Sequence, residues 1–160
     1  MRIGIGYDLH RLVSDRRLVL GGVEIPYIKG LEGYSDADVL SHALCDAILG
    51  ALGEGDIGRH FPSSDPTYKD CSSLELLKKI VRLMAQKGFS IENVDATIVA
   101  EWPHLSPFKA KMAKTLAEVL EIEPERVNVK ATTTEGMGPV GRGEAISSYA
   151  VVSLKEKGKE

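Results

Sequence analysis

The chain has 160 residues, 43% of them hydrophobic and 27% charged, with 23 acidic against 20 basic side chains for a formal net charge of −3. On the usual scale of roughly 100–200 residues per domain, that describes one soluble globular domain spanning residues 1–160 and excludes a disordered tail or a fibrous repeat. No apolar run approaches the ~20 residues that cross a bilayer, and no basic stripe offers itself to nucleic-acid phosphates, so neither a membrane nor a nucleic acid is an expected partner.

Met1-Arg2 leads straight into Ile3-Gly4-Ile5-Gly6-Tyr7-Asp8 without the apolar stretch of a leader. Two cysteines, Cys45 and Cys71, are too few for a disulfide scaffold, so a cytoplasmic protein is expected. Ile3, Ile5, Tyr7 and Leu9 alternate with Gly4, Gly6, Asp8 and His10, a period of two that predicts a strand. Arg17 to Ile25 forms a second extended piece, broken at Gly21-Gly22 and stopped by Pro26. Asp36 is placed to cap a helix over residues 37–52, where Val39, Leu40, Ala43, Leu44, Ala47 and Ile48 recur at helical spacing. Gly53, Gly55 and Gly58 end it and open a turn-rich connector.

Ser72-Ser73-Leu74-Glu75 fits a capping box for a helix running to Lys87, with Gly88 as its stop. Val94 to Ala100 alternates as a strand, and Ser106-Pro107 starts a helix to about Leu120. Val127 to Ala131 and Ala145 to Leu154 complete the order β-β-α-α-β-α-β-β. That mixed order predicts an α+β fold, with helices packed on one face of a mixed four-stranded sheet and a small extra β-hairpin. The other sheet face carries few polar residues, and burial against other subunits is the expectation there.

Asp8 and His10 are two apart on a strand and so share a face. His42 sits on the first helix, with Asp38 and Asp46 four residues to either side. If that helix packs beside the first strand, one carboxylate and two imidazoles converge. Such a set leaves one tetrahedral position open, as in a zinc site that handles substrate, and Asp38 or Asp46 could orient the far nitrogen of His42. A partly buried core histidine explains His42 as well on spacing alone. Lys130-Ala131-Thr132-Thr133-Thr134-Glu135-Gly136 offers hydroxyls, backbone N–H groups and a carboxylate to phosphate and a hard divalent cation; a threonine-rich strand exit is the plainer explanation. Gly136-x-Gly138-x-x-Gly141 is not a dinucleotide fingerprint, because it precedes a strand and contains Pro139. Arg142 beside it is a potential phosphate fork. Asp56-Ile57-Gly58 and Phe61-Pro62-Ser63-Ser64-Asp65 could contact a sugar phosphate, or simply turn the chain. His60 and His104 read as isolated surface residues.

Six segments taken together, in this order, are more specific than any one of them. They are Gly4–His10, Gly21–Pro26, Ser35–Val39 leading to His42, Asp56–Gly58, Asn128–Glu135 and Gly141–Glu144. The chain resembles the 2-C-methyl-D-erythritol 2,4-cyclodiphosphate synthase family of non-mevalonate isoprenoid precursor biosynthesis, from residue 2 to about residue 154. The resemblance implies a homotrimer with active sites between subunits. In each site 4-diphosphocytidyl-2-C-methyl-D-erythritol 2-phosphate would be cyclised by intramolecular phosphoryl transfer with loss of CMP. By the same resemblance Asp8, His10 and His42 would bind one zinc ion per subunit, and Glu135 would help hold magnesium or manganese on the diphosphate. Thr133 would stabilise the transition state, and Tyr34, which stands where the family usually has histidine, would be catalytic with it by pointing at phosphate.

Asp56 and Gly58 would contact the sugar and methylerythritol side of the substrate, Leu9, Ser35 and Ile57 would also bind substrate, and the loop Phe61, Pro62, Ser63, Ser64, Asp65 would cover it. Ala100, Pro103, His104, Leu105, Ser106 and Thr132 would cradle cytosine, Thr134 and Arg142 would also bind substrate, and Arg142 would face the three-fold axis. An isoprenoid diphosphate in an axial cavity is a further implied ligand. The rival readings are a zinc hydrolase acting on phosphoesters or phosphoanhydrides, and a non-catalytic trimer that binds isoprenoid diphosphates.

Overall fold

Two glycines decide how the first strand packs. In the computed structural model, which describes residues 1–158, β1 (Arg2–Ser14) runs beside α1 (Val39–Leu52). A Cβ added to Gly4 would lie 1.8 Å from the Ala47 carbonyl oxygen, and one on Gly6 would lie 1.8 Å from that of Ala43. Only glycine admits a helix this close to a strand. The intervening side chains Ile3, Ile5, Tyr7 and Leu9 emerge, exposed, on the opposite face. Eleven of the fourteen residues of α1 are buried, which makes it a central helix rather than a surface one.

The chain next turns through β2 (Leu18–Leu20) and β3 (Val23–Ile25), a hairpin joined by Gly21 and Gly22 at φ +57 and +73. Two successive positive φ values give the turn that matches strand twist and calls for glycine. The Asp38 carboxylate accepts from the N–H of both glycines, at 2.9 and 2.7 Å, and caps α1 through the Ser41 N–H. One buried carboxylate thus joins the hairpin to the start of the central helix.

β4 (Lys29–Leu31), α2 (Ile57–His60), α3 (Ser73–Gln86), β5 (Phe89–Val99), α4 (Lys109–Leu120), β6 (Val127–Thr132), α5 (Gly138–Gly141) and β7 (Ala145–Glu156) follow. The main sheet has the order β4-β1-β7-β5-β6, with only the β5–β6 pair parallel. The α+β class, the mixed sheet and the separate hairpin are as expected, but the sheet has five strands, not four. The short β4 pairs Leu12 with Leu31 and extends the edge. Its three residues are too few to show an alternation in sequence. Among the described residues, no helix is long and apolar enough to cross a membrane.

Several boundaries differ from expectation. The α1 cap is Asp38, because Ala37 adopts φ +56 and cannot belong to the helix. Ser72 precedes α3 but makes no side-chain cap bond, while Gly88, at φ +81, does stop that helix. Ser106 opens a 3-10 turn (Ser106–Phe108), and the α-helix starts only at Lys109. The connector after α1 holds the short α2 and a 3-10 turn, Pro66–Tyr68, capped by Asp65. β5 begins five residues early, with an irregularity between Ile91 and Asn93 that breaks the alternation there.

Candidate active site

Asp8 and His10 project from β1 on the side that faces α1, and the helix brings His42 to them. Asp8 Oδ2 lies 2.8 Å from His10 Nε2 and 3.0 Å from His42 Nδ1, and the two ring nitrogens are 3.2 Å apart. All three side chains are half-buried, and their ligand atoms lie within 4.8 Å of one another. His10 Nδ1 is 2.7 Å from the Glu32 carbonyl oxygen. A carbonyl only accepts, so Nδ1 carries the proton and Nε2 presents its lone pair to the cluster. Beyond His42, Nε2 meets Ser73 Oγ at 2.8 Å and Ser35 Oγ at 3.1 Å.

Burial alone would raise the Asp8 carboxyl. Hydrogen bonds and opposite charge from His10 and His42 outweigh it and lower the pKa to about 2. Burial would likewise lower His10, but its bond to Asp8 wins and raises it above the ordinary value. Three convergent donors, with the far nitrogen of each imidazole hydrogen-bonded, fit a borderline divalent cation, so Asp8, His10 and His42 could hold a metal ion. The sequence brought the three together correctly, but neither the Asp38 nor the Asp46 carboxylate hydrogen-bonds the His42 ring. Asp38 is committed to the hairpin, and Asp46 Oδ1 accepts from the Ile57 N–H at 2.7 Å. Ser148, opposite Asp8 in the β1–β7 ladder, is buried, and its hydroxyl has no partner among the described residues.

A cavity of about 150 Å³ opens beside the cluster, lined by His10, Tyr34, Ser35, His42, Ile57, Gly58, Phe61, Ser63, Tyr68 and Leu76. Asp56 caps α2 through the Arg59 N–H and so sets the start of this wall. The outer loop is braced by Phe61 edge-on to Tyr68 at 5.2 Å, and by Lys79 Nζ 5.0 Å from the Tyr68 ring. The Tyr34 hydroxyl donates to the Asp65 carbonyl at 3.1 Å. Pro62 and Ser64 are exposed outside the lining, and Leu9 projects from the other sheet face.

A second cavity of about 150 Å³ lies at the ends of β5 and β6, lined by Ala100, Glu101, Pro103, His104, Leu105, Ser106, Ala131, Thr132 and Thr133. It shares no residue with the first. Beyond it Glu135, at φ +54, donates its backbone N–H to Thr133 Oγ1, and the Thr134 hydroxyl donates to the Met137 carbonyl. Glu135 is exposed and does not join the Asp8–His10–His42 group. Arg142 is exposed and paired with Glu144 at 2.8 Å. His60 is not isolated, since its Nε2 donates to the Glu54 carbonyl.

Sequence reasoning missed Ser73, Asp36, Glu101, Lys79 and Tyr68. Ser73 carried a signal only as a capping residue, and its approach to His42 exists only once α3 packs on α1.

Residues 1–155 match the model of the YgbB family. The chain is 59% identical to the 2-C-methyl-D-erythritol 2,4-cyclodiphosphate synthase of Syntrophotalea carbinolica over 156 residues, which are 98% of this chain and 95% of that one. It is 57% identical to the synthase of the same name from Geotalea uraniireducens over 98% of this chain and 100% of that one. Among solved structures it is similar to the bifunctional IspDF of Campylobacter jejuni, with TM-score 0.93 and 42% identity, over 97% of this chain but only 42% of that longer one. It also resembles a CDP complex of Plasmodium falciparum IspF, with TM-score 0.87 and 34% identity, covering 98% and 96% of the two chains.

Proposed function

The chain belongs to the YgbB family, and on that footing we propose that it is a cyclising, CMP-releasing phosphorus–oxygen lyase. It converts 4-diphosphocytidyl-2-C-methyl-D-erythritol 2-phosphate to 2-C-methyl-D-erythritol 2,4-cyclodiphosphate and CMP, a step of isoprenoid precursor biosynthesis. The observation that carries this reading is the meeting of Asp8, His10 and His42 beside the first cavity, which the two histidines line. Relatives sharing more than half of the residues carry the synthase name.

The 2-phosphate oxygen attacks the β-phosphorus, the bond to the CMP oxygen breaks, and the ring closes. Nucleophile and target are both anionic, so the site must neutralise charge and hold the two groups in line. Zinc at Asp8, His10 and His42, and magnesium or manganese at Glu135, would supply Lewis-acid charge neutralisation and a template for the phosphates. The nucleophile is already ionised near neutral pH, so no dedicated base is required. Ile57 and Gly58 wall the methylerythritol part, with Ser35 and Asp56 beside it, while Phe61 to Asp65 exclude water. Ala100, Pro103, His104, Leu105 and Ser106 with Thr132 line the second cavity and would cradle cytosine there. Thr133 and Thr134 offer donors to the diphosphate, and the Tyr34 hydroxyl turns from the Asp65 carbonyl to phosphate.

The two cavities share no lining residue, and the exposed apolar sheet face needs cover. Both support a homotrimer that pairs the metal half of one subunit with the cytidine and Glu135 half of its neighbour. Arg142 and an axial cavity for an isoprenoid diphosphate belong to that assembly. Two free cysteines suit a cytoplasmic setting. Phosphorus NMR of the reaction tests the proposal. A cyclic diphosphate with CMP supports it, and ring-free phosphate products point to a hydrolase instead.

A further inference from the structure

Behind His42 lies a chain of polar groups that the reaction as described does not use. Ser73, the first residue of α3, is fully buried, and its hydroxyl lies 2.8 Å from His42 Nε2 and in hydrogen-bond contact with Asp36 Oδ1. Asp36 Oδ2 also accepts from the Ser73 N–H at 3.1 Å. One carboxylate from the loop before α1 therefore takes both donors of one residue at the start of α3, where the helix dipole favours negative charge.

Proton accounting gives this chain a direction. The Asp36 carboxylate only accepts, so the Ser73 hydroxyl proton belongs to it. Ser73 Oγ is then left with lone pairs alone for His42, and the ring must donate through Nε2–H. Ser35 allows the same assignment: its Oγ accepts from the Ala37 N–H and lies 3.3 Å from Ser73 Oγ and 3.1 Å from His42 Nε2, so it can give its own proton to Ser73 and share the Nε2–H. A neutral imidazole with its proton on Nε2 has a lone pair on Nδ1, the atom that faces Asp8 and His10.

We infer that Ser73 and Asp36 are positioning residues that set the tautomer and ring orientation of His42, presenting Nδ1 to the cation. This rests on the metal-centre reading above and goes beyond it, by assigning two residues that touch neither cation nor substrate. The carboxylate is relayed through a hydroxyl from a different helix. The docking of α3 on α1 is consequently part of the metal centre.

Cobalt(II) and zinc(II) titrations of the purified full chain test the inference, with a competing chelator and calorimetric melting of the metal-free variants alongside. Ser73→Ala should weaken cation binding by about 10–100-fold, the usual cost of losing such a partner, and shift the cobalt d–d bands. Ser73→Thr, which keeps the hydroxyl, should restore most of the affinity. In the zinc-loaded protein the His42 Nε2–H proton should be visible by NMR in the parent and lost to water exchange in Ser73→Ala. Unchanged affinity, bands and proton signal in Ser73→Ala would overturn the inference while leaving the metal centre intact. So would a Ser73→Thr that binds as poorly as Ser73→Ala although its metal-free form melts with the parent. If His42→Ala still binds the cation as the parent does, it is the metal centre itself that fails.

Discussion

Asp8 and His10 move in opposite directions on the pH scale, and a cation bound between them would reverse the balance they strike. In the metal-free chain His10 titrates above its unfolded value of 6.5, so its contact with Asp8 stabilises fully below that value and is lost as pH rises through the folded one. Asp8, lowered to about 2 from 3.8, contributes above 3.8 and loses its contribution as pH falls through about 2. The metal-free cluster is thus most stabilising between 3.8 and 6.5. A cation needs His10 neutral and must displace its proton at low pH. The increase in Tm on adding zinc should therefore grow from about pH 5.5 to about pH 8, and a flat or shrinking increment in differential scanning calorimetry would remove this cluster as the cation's seat. Zinc analysis of the purified protein should find about one ion per chain, lost in His42→Ala. Tyr34→Phe deletes the hydroxyl that meets Asp65 in the structure. If it turns to phosphate during the reaction, kcat should fall by about tenfold or more, the loss of roughly one hydrogen bond in the transition state; unchanged turnover would exclude that role.

Short contacts between elements hold the site together. Gly4→Ala or Gly6→Ala would push a methyl group into the backbone of α1, which cannot yield as a side chain would. Each should cost about 3 kcal/mol in urea unfolding, the upper end of overpacking penalties because backbone is struck, and a near-neutral result would mean that strand and helix do not touch as described. Asp46 acts one element further out, as its carboxylate holds the first N–H of α2. Asp46→Ala should raise KM more than it lowers kcat, because Ile57 and Gly58 wall the cavity without reacting, and Asp46→Asn should preserve most of the parent KM. Much of this scale could be read in the chain itself. The alternation of Ile3 to His10, the apolar spacing from Val39 to Ile48 and the Gly21-Gly22 turn each state a local preference that the tertiary structure respects. What could not be read was the use of short polar side chains over long distance. Asp36 and Asp38 both fit a cap in sequence, and only the positive φ of Ala37 decides between them. Ser73 looks like half of a capping box until α3 lies against α1. β4 is too short to carry a pattern at all.

At the scale of the whole molecule, Ile3 and Ile5 stand 65% and 67% exposed beside Tyr7, Leu9, Tyr149 and Val151 on a single sheet face, with Tyr7 and Tyr149 in ring contact at 4.9 Å. Such a contiguous apolar surface is what a subunit interface buries. Sedimentation of the parent should give about three times the 17.4 kDa chain mass, and Ile5→Asp should sediment as a smaller species that keeps its far-UV circular dichroism. If metal and cytidine halves come from different subunits, co-expressing His42→Ala with Glu135→Gln should yield mixed trimers more active than either parent. Activity no higher than the sum of the two would place each site within one chain. The bare stripe on β1 and β7 has one more consequence. If the proposed trimer forms through it, catalysis should obey mass action in the protein itself, with turnover per chain falling on extreme dilution as the assemblies come apart. The chains set free would expose their oily flank to water, so vanishing activity and adsorption to vessel walls would begin at the same concentration.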